Sequence, residues 1–469
     1  MNLSIGAVIL AAGEGKRLKL KMPKPLAPCL DKKLIDFPIK ELKKFFGQNK
    51  ITGKITAVVG HQRELVQAYV QNNYADVAFA IQEKQLGTAD ALRAYFNAVG
   101  EQAKVFDYTL VICADTPVVS SNELNEMLAL LTKEKLDGVA ASFFEKNPTG
   151  YGRIFRGAGK GFRIVEEKDA SDEIRRLQEV NSGLYLLKTS YVLEHLKKVD
   201  SNNKSGEFYL TDVFKEGLNV AAHFFVDATP FIGVNTLKQL EEVEKALRTR
   251  KKNELRELGV RFIDSSHCYI DSDVEIGEGT IIYPNTFITG KTRIGKNAVI
   301  EMGAQITNSI VDDNARVLAY SILEEAHLHT KASAGPFARL RPGADIGPES
   351  KIGNFVEIKK STLDRGVKVS HLSYVGDAFI GEETNIGCGF ITCNYDGVSK
   401  HITRIGKNCF IGSDSQTVAP VEIGDDCFVA SSTTVTNSMP EGSFAISRGK
   451  QTTKEGLAKK FLKTNEKKK

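Results

Sequence analysis

Near the amino terminus, the segment Leu10-Ala11-Ala12-Gly13-Glu14-Gly15-Lys16-Arg17 precedes Lys24, which sits in Met22-Pro23-Lys24-Pro25-Leu26. Small residues let backbone N–H groups approach a phosphate, and Arg17 and Lys24 are spaced to hold a triphosphate. Asp115 follows the apolar run Tyr108 to Cys113, and Asn235 ends Gly233-Val234-Asn235. A carboxylate and an amide oxygen are the hard donors that magnesium accepts while keeping its waters. Together these residues suit transfer of a phosphate-bearing group, where cations stabilise the charge and no side-chain nucleophile is needed. A second constellation lies far downstream, with Arg341, Lys359, His371 and Tyr374 in order. Guanidinium groups suit phosphate, and an imidazole titrates where a general base must work. Taken alone, Asp115 reads as a turn residue, Lys24 is as readily a solvated lysine, and His371 reads as a wall histidine bonded to a carbonyl. Their joint, ordered occurrence favours the chemical reading.

Two kinds of scaffold must position these groups. Residues 1 to 235 alternate short apolar runs (Ile5 to Leu10, Ile55 to Val59, Tyr108 to Cys113, Gly138 to Phe143) with amphipathic stretches. That grammar predicts an α/β layer with a mostly parallel sheet. Residues 236–259 predict a helix, from a Thr236-Leu237-Lys238-Gln239 capping box to Gly259 as its terminator, read as a solvated arm between domains. From 260 to 469 an Ile-Gly pair recurs, at Ile276, Ile294, Ile346, Ile352, Ile380, Ile386, Ile405, Ile411 and Ile423, with many separations of six or its multiples. A six-residue period predicts a solenoid whose units are each a strand and a turn, three to a triangular coil, with the aliphatic residue turned to the axis. A β-sandwich with regular glycines would not hold that period. The phase breaks between Ile386 and Ile405, so Asn394-Tyr395-Asp396-Gly397 is expected to loop out of the wall.

Length and composition set outer limits. A chain of 469 residues exceeds one compact core and predicts two or three domains. No apolar stretch approaches the ~20 residues of a membrane span, and the first residues lack the basic region of a signal peptide. Seven scattered cysteines without a CxxC argue for reduced thiols in a cytosol, and against a disulfide framework or a zinc site. The net charge of +5 owes much to the tail from Lys459 to Lys469, and without interleaved aromatics it does not suggest nucleic-acid binding.

The pattern LAAGxGxR…PKPL resembles the sugar-1-phosphate nucleotidyltransferases, whose domain is Rossmann-like. Adding the solenoid and its residues, the whole chain resembles the bifunctional N-acetylglucosamine-1-phosphate uridylyltransferases / glucosamine-1-phosphate acetyltransferases. The resemblance implies a Rossmann-like domain followed by a left-handed parallel β-helix. It implies acetylation of glucosamine-1-phosphate by acetyl-CoA and then uridylyl transfer from UTP, feeding peptidoglycan and lipopolysaccharide precursors. By the same resemblance Leu10, Ala11, Ala12, Gly13, Lys24, Gln82, Gly87, Thr88, Cys113, Ala114, Asp115, Gly152, Glu166, Asn181 and Asn235 line the uridine-nucleotide site. Asp115 and Asn235 would hold magnesium, and Arg17 and Lys24 would serve catalysis. His371 would be the general base. Arg341, Lys359, Tyr374 and Asn385 would contact glucosamine-1-phosphate, and Cys388, Asn394, Tyr395, Ser413, Ser431 and Arg448 acetyl-CoA. An amine attacking a thioester must lose a proton, so a histidine is the group this reaction asks for.

The resemblance further implies a cytoplasmic homotrimer, with the acetyl-transfer site completed between subunits, the tail after Arg448 aiding assembly and the last few residues solvated. Departures from the family pattern are Ala114 and Ser432 at usual glycines, Cys388 and Ser431 at usual alanines, and Glu83-Lys84 in place of Ala-Glu. Contacts there are expected to run mainly through backbone. Two other readings stand beside this one: a single-function nucleotidyltransferase with a structural β-helix, opposed by His371, Tyr374 and the Asn394–Gly397 loop, and a non-catalytic trimeric scaffold, opposed by Arg17, Lys24, Asp115 and Asn235.

Overall fold

The computed structural model describes residues 3–157 and 161–462. They form two compact units that divide between Thr249 and Arg250.

In the first unit the apolar runs become strands Ser4–Ala11, Thr52–Val59, Tyr108–Cys113 and Gly138–Phe144. The sheet order runs Val220–Phe225, Gly138–Phe144, Glu179–Lys188, Tyr108–Cys113, Ser4–Ala11, Thr52–Val59, Ala78–Ile81. All neighbours are parallel except around Glu179–Lys188, which opposes both of its partners. Helices cover both faces, so the strands need apolar residues on both sides. Ile5, Ala7, Ile9 and Ala11 pack on one side with helices Asp36–Asn49 and Ser121–Lys133, while Val8 packs on the other with Thr88–Val99 and Thr189–Leu196. The period of two along a strand is what divides them. Ser4–Ala11 is flanked by parallel strands on both sides, so chain order reverses there, the place where sheets of this kind bind ligands in a crevice beyond the carboxyl ends.

In the second unit three sheets of 11, 10 and 9 strands, parallel throughout, form the three walls of a β-helix. This is the left-handed parallel β-helix class. One wall stacks Ile276, Ile294, Val311, Leu328, Ile346, Leu363, Ile380, Ile405 and Ile423 in register. All nine are buried in one aliphatic core, each worth roughly 1.5–3 kcal/mol of burial. The glycine after each isoleucine has a steric reason: a Cβ on Gly277 would lie 2.7 Å from the carbonyl carbon of Gly295 one coil up. Aromatics stack on the outside, as in Phe410–Phe428–Phe444, with centroids 4.9 and 5.7 Å apart. The coil from Ile380 to Ile405 is lengthened by residues 394–402, which leave the wall where the phase break predicts and close on a Tyr395–Lys400 bridge.

The helix Leu237–Glu257 forms, with Gln239 N–H bonded to Thr236 Oγ1 at 3.2 Å. It is not a solvated arm. Val243 and Leu247 are buried with Leu18, Ala27 and Val234 in the first unit, and Leu255 is buried in the core of the second. The dense charge that suggested solvation lies on its other faces, and the interrupted stripe is the reason each core takes only part of the helix.

Candidate active sites

The first site gathers at the crevice. Lys24 opens a 3₁₀ turn after Pro23, where proline's fixed φ starts the turn. Its ammonium bonds the Asp115 carboxylate and, at 2.9 Å, Asn235 Oδ1; Arg17 reaches the same Asn235 oxygen at 2.9 Å. Asp115 stands just beyond strand Tyr108–Cys113, whose Cys113 is paired with Leu10. Val234 N–H donates to the Asp115 carbonyl at 2.8 Å, which fixes Asn235 beside it. The four chemically pointed residues of the sequence therefore meet at one place. Ala114, which stands at a usual glycine, buries its methyl in the core and gives its N–H to Leu10. Burial pushes the Cys113 thiol up to about 12, aided by the Asp115 charge.

Around this centre lie the remaining segments. Gln82 donates its amide protons to the Gly87 carbonyl (3.0 Å) and Asp90 (2.8 Å), which leaves its carbonyl oxygen as the group able to accept from a base. Thr88 Oγ1 accepts from Leu210 N–H, and Thr211 donates to Glu166 at 2.9 Å, so the 208–211 segment joins the Gln82–Thr88 loop to Glu166. Burial raises the Glu166 carboxyl above its ordinary range, countered in part by Thr211. Asn181 N–H donates to Gly152, and its amide to the buried Tyr185 hydroxyl at 2.7 Å.

The second site lies on the β-helix. Asn354 and His371 are register partners on adjacent coils, and His371 Nδ1 lies 2.6 Å from Asn354 Oδ1. An amide oxygen accepts, so Nδ1 carries the proton and the exposed ring offers Nε2 as its free lone pair. Arg341 is paired with Glu357 at 2.8 Å, and that bond raises its already high pKa. Lys359 neighbours Lys400, which is contributed by the outlooped 394–402 segment; the two ammonium groups lower the Lys400 pKa. The Asp377 carboxylate and Tyr374 also act on Lys400, so two cations and one carboxylate gather there. Asn394 fastens the loop to Asp377 at 2.5 Å, and Asp396 is held well below the carboxylate range by the Ser399 and Val398 amides and His401.

The residues expected around the thioester group separately. Arg448 donates to the Ser431 carbonyl at 3.3 Å, Ser432 N–H to the Ser413 carbonyl at 2.8 Å, and Asp414 N–H to Cys388. The Tyr395 hydroxyl donates within its own loop, to the Gly397 carbonyl at 2.6 Å. Among the described residues no side-chain hydrogen bond joins either group, or Asn385, to His371. Residues 463–469 of the lysine-rich tail lie outside the described residues.

Sequence reasoning gives no role to two residues that shape these sites, Asn354 and Lys400. Both become visible only once coil register is known. Gly15 has a positive φ, and its backbone packs on the Lys24 side chain.

A nucleotidyl transferase family model matches residues 6–229, and a model described as the hexapeptide repeat of succinyl-transferase matches residues 402–437. Over nearly their full lengths, the chain is 40% identical to relatives from Pelobacter propionicus, Exiguobacterium sp. and Thermosipho melanesiensis. The alignments cover 97%, 97% and 96% of this chain and 98%, 99% and 96% of the relatives, each of which is named bifunctional protein GlmU.

Proposed function

The chain belongs to the family of bifunctional GlmU proteins, and from that membership we infer how its two sites divide the work. It is a bifunctional transferase of UDP-N-acetylglucosamine synthesis, both an acetyltransferase and a uridylyltransferase. We assign uridylyl transfer to the crevice of the first unit and acetyl transfer to the β-helix.

In the first reaction the amine of glucosamine-1-phosphate attacks the acetyl-CoA carbonyl carbon, the C–S bond breaks, and a proton passes from nitrogen to His371 Nε2. The observation that carries this assignment is the 2.6 Å bond from His371 Nδ1–H to Asn354, which presents Nε2 as base, while the Asn354 carbonyl dipole stabilises the imidazolium that forms. Arg341, Lys359 and Lys400 supply the charge for the sugar phosphate, with Tyr374 and Asn385 positioning the sugar. Cys388, Asn394, Tyr395, Ser413, Ser431 and Arg448 are assigned to acetyl-CoA. Cys388 adjoins Gly389, whose N–H reaches the His371 carbonyl at 3.4 Å, which sets this group beside the base; we further propose a homotrimer in which neighbouring subunits complete the site.

In the second reaction a phosphate oxygen of N-acetylglucosamine-1-phosphate attacks the α-phosphorus of UTP, and the bond to pyrophosphate breaks. Arg17 and Lys24 are the cations offered to the triphosphate. Gln82, Gly87 and Thr88 are assigned to the base; Gly152, Glu166 and Asn181 to the sugar; and Leu10 to Gly13, Cys113 and Ala114 to backbone contacts. Asp115 and Asn235 fit magnesium, since a carboxylate and an amide oxygen converge on one cationic centre, the Lys24 ammonium. Bound there, magnesium would neutralise charge on the phosphates. No described helix is long and apolar enough to cross a membrane; we place the protein in the cytoplasm, supplying peptidoglycan and lipopolysaccharide precursors.

The test is a pair of variants in two assays, thiol release from acetyl-CoA and pyrophosphate release from UTP. His371→Ala should lose the first activity and keep the second, and Asp115→Ala the reverse. Loss of both activities from either folded variant would refute the division.

A further inference from the structure

Away from both sites, on the outer wall of the β-helix, two histidines and two aspartates occupy three successive coils. Ile310, His327 and Asp345 are stacked register partners. His327 and His329 are two residues apart on an extended segment, so both side chains leave the same face. Asp312 sits one coil below His329, its N–H bonded to the Leu328 carbonyl. The imidazole rings stack with centroids 3.6 Å apart.

Asp312 Oδ2 lies 3.1 Å from His327 Nε2 and 3.3 Å from His329 Nδ1. One ligand atom from each of the three residues lies within 4.8 Å of the others. Ligands at the ~2.0–2.2 Å bond lengths of zinc, set at tetrahedral angles, stand about 3.3 Å from one another. Two edges of the triangle therefore already have the spacing of a first-row coordination sphere. The opposite nitrogen of His329, Nε2, bonds Asp345 Oδ1 at 2.8 Å. A carboxylate behind a ring nitrogen fixes the tautomer and turns the other lone pair forward, as the outer partners of metal-bound histidines do. Asp345 Oδ1 also lies 3.9 Å from His327 Nδ1, a charge contact beyond hydrogen-bond reach.

We propose that Asp312, His327 and His329 form a binding site for a borderline divalent cation, zinc above all, with Asp345 as the residue that orients the His329 imidazole. Mixed imidazole and carboxylate donors select such ions over magnesium. All four side chains are about a third to a half exposed, so the ion has an open path and room for a water ligand. The site is independent of the oxygen-only pair Asp115 and Asn235, which has no nitrogen donor.

The experiment uses the full chain, stripped with EDTA and then titrated with Zn²⁺ in a large excess of Mg²⁺ to occupy oxygen-only sites. We expect one zinc ion per chain more than the His327→Gln/His329→Gln variant binds, and a zinc K-edge spectrum of the wild type with imidazole scattering that the variant lacks. Asp345→Asn should weaken zinc binding about 10- to 100-fold. Equal zinc uptake by wild type and double variant, or none by either, would overturn the proposal. So would a wild-type spectrum without imidazole scattering, a result that needs no variant to fold.

Discussion

Replacing Gly15 by alanine tests whether the phosphate loop acts by placing Lys24. Gly15 has φ +68°, and a Cβ there would lie 2.6 Å from Lys24 Cβ and 3.3 Å from its Cγ. Carbon atoms rest at about 3.5–4.0 Å, so the two segments must part by about 1 Å. The lysine backbone is held by bonds from Leu26 to Pro23 and from Ala27 to Lys24, so the displacement falls on the side chain that reaches Asp115 and Asn235. A misplacement of about 1 Å costs on the order of 100-fold in rate, or about 2.7 kcal/mol of barrier. The left-handed backbone adds about 1–2 kcal/mol of lost stability. Gly100→Ala separates the two effects, because Gly100 has φ +59° and nothing within 4 Å of its Cβ. Pyrophosphate release should fall about 100-fold in Gly15→Ala and hardly change in Gly100→Ala, while both unfold a few degrees lower. Acetyl transfer should survive in both. Uridylyl transfer within threefold of wild type in Gly15→Ala, or an equal loss in Gly100→Ala, would refute the reasoning.

Asn354→Ala should lower acetyl transfer roughly 10- to 150-fold, the worth of about 1.5–3 kcal/mol for a bond to a charged group, with Asn354→Asp retaining most activity; coupled thiol-release kinetics decide it. Glu166 is ionised less readily in the folded unit than in the unfolded chain, so its ionisation opposes folding as pH rises above the ordinary carboxylate range. Glu166→Gln should therefore raise the melting temperature at pH 7, and the gain should vanish in acid, as thermal melts across pH will register. Cys29 and Cys113, both pushed up to about 12 by burial, should resist alkylation at neutral pH while the exposed Cys393 reacts, which peptide mass mapping will read.

Much of this was legible in the sequence because its signals were periodic or local. The Ile-Gly rhythm reports coil stacking directly, since each glycine answers to backbone one coil away. Arg17, Lys24, Asp115 and Asn235 could be singled out by donor chemistry, and the crevice between parallel strands brings them together. What stayed hidden depends on register. Asn354 and His371 are 17 residues apart and touch only because one coil takes them up the wall. Lys400 reaches Lys359 only through the loop that lengthens its coil. The helix Leu237–Glu257 misled because its charges outnumber its apolar residues, although a few leucines and a valine are enough to anchor it.

That helix has a consequence for how the prism ends. Strand Arg261–Phe262 pairs upward with Ile281–Ile282, and its other edge is the bottom rung of an 11-stranded ladder. A bare rung invites the next molecule to dock onto it. Leu255 is buried in the aliphatic column with Val260, the residue just before that rung. Cover from the last turns of a helix whose earlier turns serve a different core would guard the solenoid against end-to-end polymerisation, and a chain severed after Glu257 would lose it.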